Sequence, residues 1–301
     1  MRFNKLDMNL LVVLDALITT QSVGKAAERL FLSQPATSLA LGRLRVYFQD
    51  QLLVVVGKTM VLTPLAVELA GPVREVLVQV QTISRARPTF DPGATKRRFT
   101  IESSDYVISV LLPEVIRRAA ALAPLMQFDV RSLSPQTPLN LSSGECELLI
   151  APDFAAVPDH PSSPLFEDTF SCIVCRENPA WDEGLSADAY FEAGHVGVEW
   201  GGGRRVTFDT RILGAVRRER RQDVIAPNFT LVPELLIGTA RIATLPTRLT
   251  AIVAKRFPVR VLPCPVVIPP FWEQLQWHKY QDRDPAITWL RMLILEVAAS
   301  L

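Results

Sequence analysis

A polar and basic face near the amino terminus has the clearest chemical potential in this sequence. Between residues 23 and 45, helical spacing places Gln34, Ser38 and Arg45 on one face, with Arg43 beside them. A helix whose amino-terminal half is polar and basic suits the major groove of DNA. On residue types alone, the alternative is a helical hairpin whose polar face is simply solvated.

Two short helices joined by a turn account for this segment. The small side chains of Ala26 and Ala27 let the helices cross closely, and we expect Phe31 and Leu32 to fill the turn. The buried stripe of the second helix is predicted from its three- and four-residue spacing and consists of Thr37, Leu41, Leu44 and Phe48.

The helix starts in this region are marked by capping residues. Ser33 is expected to cap the second helix, because its hydroxyl can accept a free backbone N–H of the first turn. Pro35 is tolerated in that turn, where its missing N–H has no helical partner. Upstream, apolar residues between positions 6 and 20 predict a helix that packs behind the other two, with Asp7 as its cap.

A hairpin and a long helix are predicted next. Residues 52–56 and 60–62 flank a turn at Gly57-Lys58, which predicts the wing of a winged helix. Residues 65–87 predict one long helix, which Pro72 should bend or split. Because its apolar stripe has no domain beneath it, we predict dimerisation through this helix. The stripe consists of Leu65, Leu69, Val73, Val76, Val80 and Ile83.

The remainder of the chain alternates between strands and helices after a Pro/Gly hinge at residues 87–93. This alternation predicts an α/β domain with a mostly parallel sheet and helices on both faces. The predicted strands are residues 98–103, 127–133, 147–151, 165–175, 196–200, 223–226, 241–245, 259–263 and 271–280. The predicted helices are residues 107–122, 139–144, 208–220, 231–238 and 284–299.

Composition limits the classes of protein that fit. A chain of 301 residues predicts two domains. Residues 1–90 carry ten Lys and Arg against six Asp and Glu, which is weak support for a nucleic-acid partner at this end. The amino terminus lacks the pattern of a signal peptide and no long apolar run follows, so we expect a cytoplasmic protein without a membrane partner.

Cysteine and histidine patterns give little support to metal or covalent chemistry. The Cys172 and Cys175 pair has C-x-x-C spacing, but strand alternation puts the two thiols on opposite faces and no second pair completes a zinc site. We therefore interpret the four cysteines as structural and predict no cofactor and no metal. Neither H-E-x-x-H nor G-x-S-x-G is present, so we do not expect an enzyme.

A longer pattern resembles one protein family. Ser33-Gln34-Pro35-Ala36, followed by Ser38, Leu41 and Leu44, resembles the LysR-type transcriptional regulators. Residues 6–15 and Gln276-Trp277-His278 are similar to the subgroup of nodulation regulators and salicylate-responsive regulators of naphthalene catabolism. The resemblance covers nearly the whole chain. It implies a winged helix-turn-helix (residues 1–64), a linker helix and hinge (65–91) and a two-lobed, periplasmic-binding-protein-like effector domain (92–301).

The resemblance also divides the effector domain. Residues 92–163 and 268–301 would form one lobe and residues 164–267 the other. The chain would cross between the lobes near Ser163-Pro164 and return near residues 267–270.

DNA-contact roles follow from the same resemblance. Gln34 would reach base edges, because its amide can pair with adenine by two hydrogen bonds. Leu39 occupies a position that is often basic in the family, and here it would contact a thymine methyl. Val55 occupies a position where many members carry an arginine in the wing. This difference puts a contact between the wing and a phosphate in question. The predicted DNA contacts are Ser33, Gln34, Pro35, Thr37, Ser38, Leu39, Arg43, Arg45 and Lys58.

An effector site is predicted between the lobes. Ligands of open α/β sheets bind at the carboxyl ends of the strands. Hydroxyls, one imidazole and aromatic rings suit a phenol or an aromatic acid, and the carboxylate of Asp105 favours the phenol. His195 has the alternative of a structural role. The predicted effector contacts are Ser103, Ser104, Asp105, Pro135, Gln136, Thr137, His195, Gly197, Pro227, Phe229 and Thr247.

These expectations combine into one function. We interpret the protein as an activator that binds double-stranded promoter DNA as a homodimer or homotetramer and controls an operon for the catabolism of aromatic compounds or a related operon. Its small aromatic effector would shift the population between two tetramer shapes and alter DNA bending and contact with RNA polymerase. The alternatives are a solute-binding protein, which would not need residues 1–87, and an α/β enzyme acting on a small aromatic.

Overall fold

Two compact units make up the protein. A computed structural model describes residues 2–3, 6–57, 59–85, 90–198 and 220–301. One unit holds Met1–Arg87 with Ser142–Gly144, and the other holds Pro88–Leu141 with Glu145–Leu301. Lys58, most of the helix predicted at residues 208–220 and the end of the strand predicted at 196–200 lie outside the described residues.

The amino-terminal unit is a winged helix-turn-helix followed by a long helix, as the sequence predicts. A short β-bridge pairs Arg2–Phe3 with Leu6–Asp7 (β1 and β2). The first helix begins at Asn9, and its N-cap is Met8 rather than the predicted Asp7, although the Asp7 carboxylate accepts the Asn9 N–H at 3.1 Å. The elements after β2 are α1 (Asn9–Thr20), α2 (Val23–Arg29), α3 (Gln34–Phe48), β3 (Leu53–Val56), β4 (Thr59–Leu62) and α4 (Pro64–Arg85).

The turn between α2 and α3 differs from the prediction. Phe31 does not fill the turn: its side chain is 97% exposed, and its backbone φ of +54° directs the chain through the left-handed region. Leu32 is also largely exposed, while Leu30 packs against the core in their place. A residue with left-handed backbone angles in the turn between α2 and α3 directs its side chain away from both helices. The local pattern of apolar residues does not show this backbone conformation.

The long helix α4 is one continuous element of 22 residues with Pro72 inside it, so the predicted split is not observed. Its first half belongs to the amino-terminal core, where Val73 is buried and Leu69 and Val76 pack beside it. The expectation that no domain lies beneath the stripe is therefore wrong for this half. Val80 and Ile83, farther along, are 48% and 74% exposed.

The first five-stranded sheet of the second unit has the order β6-β5-β7-β14-β8. Strand β5 runs parallel to β6 and β7, while β14 is antiparallel to β7 and β8. The predicted helix over residues 107–122 is two helices that meet at Leu111, because a proline opens the second. The elements are β5 (Arg98–Ser103), α5 (Asp105–Val110), α6 (Leu112–Leu122), β6 (Gln127–Ser132), α7 (Thr137–Ser143), β7 (Leu148–Pro152), β8 (Ser162–Asp168), β14 (Phe271–Trp277) and the closing helix α11 (Pro285–Ala298).

The second five-stranded sheet has the order β11-β10-β12-β9-β13. Strand β10 is parallel to β11 and β12, whereas β9 is antiparallel to β12 and β13. Each sheet thus has two parallel and two antiparallel pairings, so the prediction of a mostly parallel sheet is wrong. The elements are β9 (Phe170–Cys175), α8 (Ala187–Glu192), β10 (Gly194–Val198), β11 (Arg221–Ala226), α9 (Val232–Leu236), β12 (Ile242–Pro246), α10 (Thr247–Arg256) and β13 (Val259–Pro263).

The chain passes between the sheets at two places. The first crossing lies at Thr169, between β8 and β9, and not at Ser163-Pro164 as expected. Residues 165–175 were predicted as one strand because no glycine or proline separates β8 from β9. The return lies between β13 and β14, which includes the predicted position at residues 267–270.

Strand β9 separates its cysteines as alternation predicts. Cys175 and Ile173 face the central core, and Cys172 faces a second cluster with Tyr190 and Trp181. All four cysteines are free thiols. Among the described residues, no three potential metal-binding side chains come together, and no helix could cross a membrane.

Candidate functional site

The exposed side of α3 forms the candidate nucleic-acid interface. Ser33 caps this helix by accepting the Ala36 N–H at 3.3 Å. Gln34 and Ser38 are exposed, and Leu39 is 69% exposed. Because Leu41 and Leu44 bury the opposite side, the orientation of the helix leaves this polar face open to solvent. The predicted contacts exposed on this side are Ser33, Gln34, Pro35, Ser38 and Leu39.

Thr37 does not belong to this surface. Its side chain is fully buried, and its hydroxyl donates to the Ser33 carbonyl at 3.2 Å. The same spacing that makes Thr37 part of the buried stripe removes it from any DNA in contact with the opposite side. Its role is therefore to hold the first turn of α3.

The two arginines of α3 are engaged differently. Arg43 is largely exposed and forms an ion pair with Asp7 at 3.1 Å. Hydrogen bonding to Asn9 N–H and to Arg43 lowers the pKa of Asp7 below its ordinary value. Arg45 instead donates its Nε to the Gln51 carbonyl and its Nη2 to the Leu53 carbonyl, each at 2.8 Å. The predicted DNA contact by Arg45 is thus replaced by an attachment of α3 to the wing.

Lys25 is a basic residue that the sequence prediction missed. It lies in the first turn of α2, where Ser22 caps the helix by accepting the Lys25 N–H at 3.3 Å. Its side chain is exposed. The first helix of a helix-turn-helix crosses the DNA backbone, so Lys25 is a candidate for a phosphate contact, and the serine cap before it is the signal in the sequence. In the wing, Val55 and Val56 are exposed and carry no charge.

Asp105 joins the two lobes of the second unit. It opens α5 after β5, and its carboxylate accepts the Phe229 N–H at 3.2 Å and the Thr230 N–H at 2.7 Å. These amides follow β11 in the other lobe. Asp105 therefore lies between the lobes as predicted, although its oxygens already have donors.

Three other predicted contacts near the first sheet are occupied by structural bonds. The buried Ser103 hydroxyl donates to the Ile150 carbonyl at 3.1 Å, and the Ser104 hydroxyl caps α5. Thr137 is buried and donates to Glu102 at 2.5 Å. These hydroxyls form hydrogen bonds with groups of the strands and helices around them. They are therefore structural groups rather than the predicted effector contacts. Pro135 and Gln136, just before Thr137, are exposed.

His195 is a structural histidine. It is fully buried near the amino end of β10, its Nε2 lies 2.6 Å from the Tyr190 carbonyl oxygen, and its ring packs on the Tyr190 ring at 4.7 Å. The carboxyl end of the strand, where a ligand of a parallel sheet binds, is Val198. His195 thus lies at the other end of β10, which overturns its predicted effector role. Gly197 is buried close to the carboxyl end.

Other predicted contacts of the second lobe do lie at the carboxyl ends of strands. Pro227 follows β11 and is exposed. Phe229 is buried and packs edge-on against Tyr106 of the first lobe, with ring centroids 6.2 Å apart. Thr247 begins α10, and its hydroxyl lies 2.9 Å from those of both Thr169 and Ser171. A cluster of three hydroxyls therefore stands where the chain crosses between the lobes.

A buried acidic pair beside this crossing was also missed. Tyr106 donates to Asp168 at 2.5 Å, and Asp168 also accepts the N–H groups of Thr169 and Arg248. Burial raises the pKa of Asp168, and burial beside that carboxyl raises the pKa of Glu273 to about 8. The signal in the sequence is that Glu273 is the one charged residue of β14 (Phe271–Trp277).

One cavity of the second lobe lies away from this region. Its volume is about 500 Å³, and it opens at the edge of the second sheet between Trp181, Glu192 and Arg241. None of the predicted effector contacts lines it. The predicted contacts that remain accessible or half-buried between the lobes are Asp105, Pro135, Gln136, Pro227 and Thr247.

Comparison with known proteins agrees with this arrangement. Residues 8–66 match the bacterial regulatory helix-turn-helix of the lysR family, and residues 92–299 match the LysR substrate binding domain. The chain is 38% identical to Nodulation protein D 1 of Bradyrhizobium diazoefficiens, over 100% of this chain and 96% of that protein. It is 41% identical to Nodulation protein D 2 of Rhizobium tropici, over 99% and 95% of the two chains.

A solved structure has the same architecture over nearly the full length. A probable transcriptional regulator from Pseudomonas aeruginosa is 27% identical, with 97% of each chain covered and a TM-score of 0.65. These relatives are regulators and not enzymes, in agreement with the expectation from the missing catalytic motifs. A helix-turn-helix with an exposed recognition face and a two-lobed sensor thus place this chain in the LysR family of bacterial transcriptional regulators.

Proposed function

We propose that this LysR-family regulator binds promoter DNA through the exposed face of α3 and answers to a small phenolic or other aromatic effector. The observation that supports DNA binding is the capped start of α3, which leaves Gln34, Ser38 and Leu39 exposed together. Gln34 pairs with a base edge, Leu39 meets a thymine methyl, and Ser33, Ser38 and Arg43 contact the backbone. Lys58 stays a predicted contact of the wing.

The effector half is supported by the groups between the lobes. Asp105 and the hydroxyls of Thr169, Ser171 and Thr247 are hydrogen-bonding groups close to aromatic rings around Tyr106. A phenol offers both a ring and a hydroxyl, and it avoids the repulsion that a carboxylate meets at Asp105. The match of residues 92–299 to the LysR substrate binding domain supports a small-molecule signal. The target that we propose is an operon for the catabolism of aromatic compounds or a related operon.

The assembly is a dimer or tetramer formed through α4. Effector binding shifts the population between two assemblies only if its affinity differs between them. The shift changes DNA bending and the contact with RNA polymerase, and the result is activation. Val80 and Ile83, exposed on α4, are the apolar residues that support association through this helix.

Gln34→Ala tests the DNA half. The probe is a duplex of the intergenic region upstream of the gene, titrated with the full-length protein in a band-shift assay. We expect a loss of about 1–3 kcal/mol of binding free energy, the contribution of a bidentate base contact, with unchanged oligomeric state. The control is Gln79→Ala, at an exposed glutamine of α4. Equal affinity of Q34A and the wild type would overturn the assignment.

Thr247→Val tests the effector half. Thermal-shift titrations of the full-length protein with hydroquinone, chlorophenols, flavonoids and salicylate identify the responsive chemistry, and we expect phenols to stabilise more than acids. T247V should weaken the response, because the hydroxyl is lost at constant shape, while Thr288→Val, at an exposed threonine of α11, should not. A response shared equally by acids and phenols would contradict the phenolic assignment.

A further inference from the structure

Two thiols meet on the side of the second sheet that faces the cluster of Tyr190 and Trp181. Cys172 of β9 is fully buried among Tyr190 and Trp181, and Cys264 packs against this cluster. In the antiparallel pairing of β9 with β13, Cys172 lies opposite Leu262. Cys264 is two residues farther along, where strand alternation returns it to the same side as a diagonal neighbour. The two side chains form a hydrogen bond.

A chain of hydrogen bonds connects this thiol pair to a cation. Arg220 donates its Nη1 to the Tyr190 hydroxyl at 2.7 Å. The Tyr190 hydroxyl lies 2.8 Å from the Thr244 hydroxyl, which lies 3.8 Å from the Cys172 sulfur. The cysteines are thus not isolated in an apolar core. They lie at the end of a polar network that begins at a guanidinium group.

The two thiols have unequal environments. Cys172 is deeply buried and donates to Cys264, so its pKa is raised and it keeps its proton. Cys264 accepts from Cys172 and from the Val266 N–H and lies near the charge of Arg220, and these contacts lower its pKa to about 7. Cys264 is also only partly buried. A large share of Cys264 is therefore thiolate at neutral pH, within reach of a reagent in solvent.

We propose that Cys264 and Cys172 form a reactive dithiol site in which Cys264 attacks a hydroperoxide and Cys172 closes a disulfide. The Cys264 sulfur attacks one peroxide oxygen, the O–O bond breaks, and the departing oxygen leaves as water or an alcohol after taking up a proton. Cys264 becomes a sulfenic acid. The Cys172 sulfur then attacks the Cys264 sulfur, the S–O bond breaks, and a second water leaves. The two thiols lose two electrons, which the peroxide gains.

The other two cysteines lack this chemistry. Cys146 is fully buried, and burial beside Glu102 raises the pKa of its thiol. Cys175 is buried on the opposite face of β9, where its sulfur accepts the Gly238 N–H at 3.3 Å. The contrast predicts selectivity: one thiol reacts first, and one particular partner completes the bond. That bond would join β9 to the segment through which the chain returns to the first sheet.

The experiment measures alkylation and oxidation of the reduced full-length protein. At pH 7, we expect one thiol to react with monobromobimane roughly tenfold faster than an ordinary cysteine, because its thiolate fraction is larger. One equivalent of hydrogen peroxide should then produce a disulfide. Mass spectrometry after Glu-C digestion without reductant should find the bond between Cys172 and Cys264, with fragment ions separating Cys172 from Cys175.

Variants separate the proposed roles. Cys264→Ser should abolish both the fast alkylation and the disulfide. Cys172→Ala should keep a reactive Cys264 but shift the pH profile of alkylation to higher pH, since the donor is lost, and peroxide should leave a sulfenic acid that dimedone traps. Cys146→Ala is the matched control and should behave as the wild type. Its unfolding temperature and those of the other variants report that each is folded.

Two results would overturn the proposal. One is slow alkylation of all four thiols in the folded wild-type protein. The other is oxidation of wild-type Cys264 to sulfinic acid without a bond to Cys172. Both are read on the wild-type chain, so a variant that fails to fold does not affect the outcome.

Discussion

Glu273 and Asp105 are both acidic side chains, and they differ in the number of hydrogen-bond donors around them. The Asp105 carboxylate accepts two backbone N–H groups from the other lobe. Glu273 is 1% exposed, and its Oε2 has no hydrogen-bond partner within the described part of the chain. A buried carboxyl without donors favours its protonated form. Residue type alone therefore does not distinguish the two roles, whereas the number of donors does.

The raised pKa of Glu273 predicts how stability changes with pH. The folded value of about 8 lies above the ordinary value of 4.5. Between these values the folded state keeps a proton that the unfolded state has lost, so stability falls as pH rises from 4.5 to 8. Each pKa unit is about 1.4 kcal/mol, so this group contributes a loss of up to a few kcal/mol.

Glu273→Gln should remove the loss of stability that Glu273 causes as the pH rises, because glutamine mimics the protonated form of the side chain. Urea unfolding at pH 5.5 and pH 8 measures the difference, which should be smaller in E273Q than in the wild type. The control is Glu167→Gln, at an exposed glutamate of β8 whose substitution should leave the pH dependence unchanged. An equal pH dependence in E273Q and the wild type would contradict a protonated Glu273.

At the scale of single elements, α3 serves two purposes with opposite sides. Its buried side holds the helix in the amino-terminal core, and its exposed side carries the candidate DNA contacts. Its two arginines divide in the same way: Arg43 lies at the surface, and Arg45 attaches the wing. The spacing of residues along α3 was enough to predict its buried and exposed faces. It did not predict which arginine would form hydrogen bonds with the carbonyls next to the wing.

Arg45→Ala should destabilise the amino-terminal unit. The change removes the hydrogen bonds that the Arg45 guanidinium donates to the Gln51 and Leu53 carbonyls, so we expect a loss of about 1–3 kcal/mol in the free energy of unfolding. Arg43→Ala removes only an exposed ion pair and should cost at most about 1 kcal/mol. Chemical denaturation of both variants measures the contrast. Similar losses in R43A and R45A would rule out the attachment of the wing by Arg45.

The carboxyl-terminal half of α4 is predicted to mediate association. Ile83 is exposed on this half, and burying a new carboxylate at a subunit interface is costly. We expect Ile83→Asp to shift the protein toward monomer in sedimentation equilibrium. Val67→Asp, at an exposed position in the first half of the same helix, is the control and should not. Dimers of undiminished affinity in I83D would place the interface elsewhere.

At the scale of the whole molecule, the second unit depends on crossings between its two sheets. Thr169 marks the first crossing, Asp168 is bonded there to both lobes, and Asp105 bridges the lobes again. These contacts connect residues that are more than 60 positions apart in the chain. The relation between the lobes is therefore set by a few polar contacts as well as by the aromatic rings around Tyr106.

Asp105→Ala should loosen the bridge between the lobes. The Phe229 and Thr230 amides lose their acceptor, so hydrogen exchange at these two positions should accelerate. We expect unfolding stability to fall by about 1–3 kcal/mol. Mass spectrometry of deuterium uptake measures the exchange, with Asp129→Asn, at an ion pair on the edge of β6, as the control. Unchanged uptake at residues 229 and 230 would show that the bridge does not restrain the lobes.

Much of the local structure follows from the sequence. Periodic apolar residues and capping side chains predicted the helix-turn-helix, the wing, α4 and most strands, because these features depend on neighbours a few positions away. The Ser33 cap and the alternation that separates Cys172 from Cys175 are of this kind. Helices α8 and α10 were not predicted, and residues 165–175, which span parts of β8 and β9, were predicted as one strand.

The tertiary structure decided which polar groups remain available to bind a ligand or DNA. The sequence determined that Thr37, His195 and Arg45 have groups suited to binding, and packing then buried the first two and gave the third two backbone acceptors. Likewise, Glu273, Asp168 and Tyr106 are distant in sequence and meet because β14 pairs with β8 in the first sheet and Tyr106 of α5 donates to Asp168. The physical reason is that hydrogen-bond satisfaction and burial depend on partners from remote segments, which local patterns do not contain.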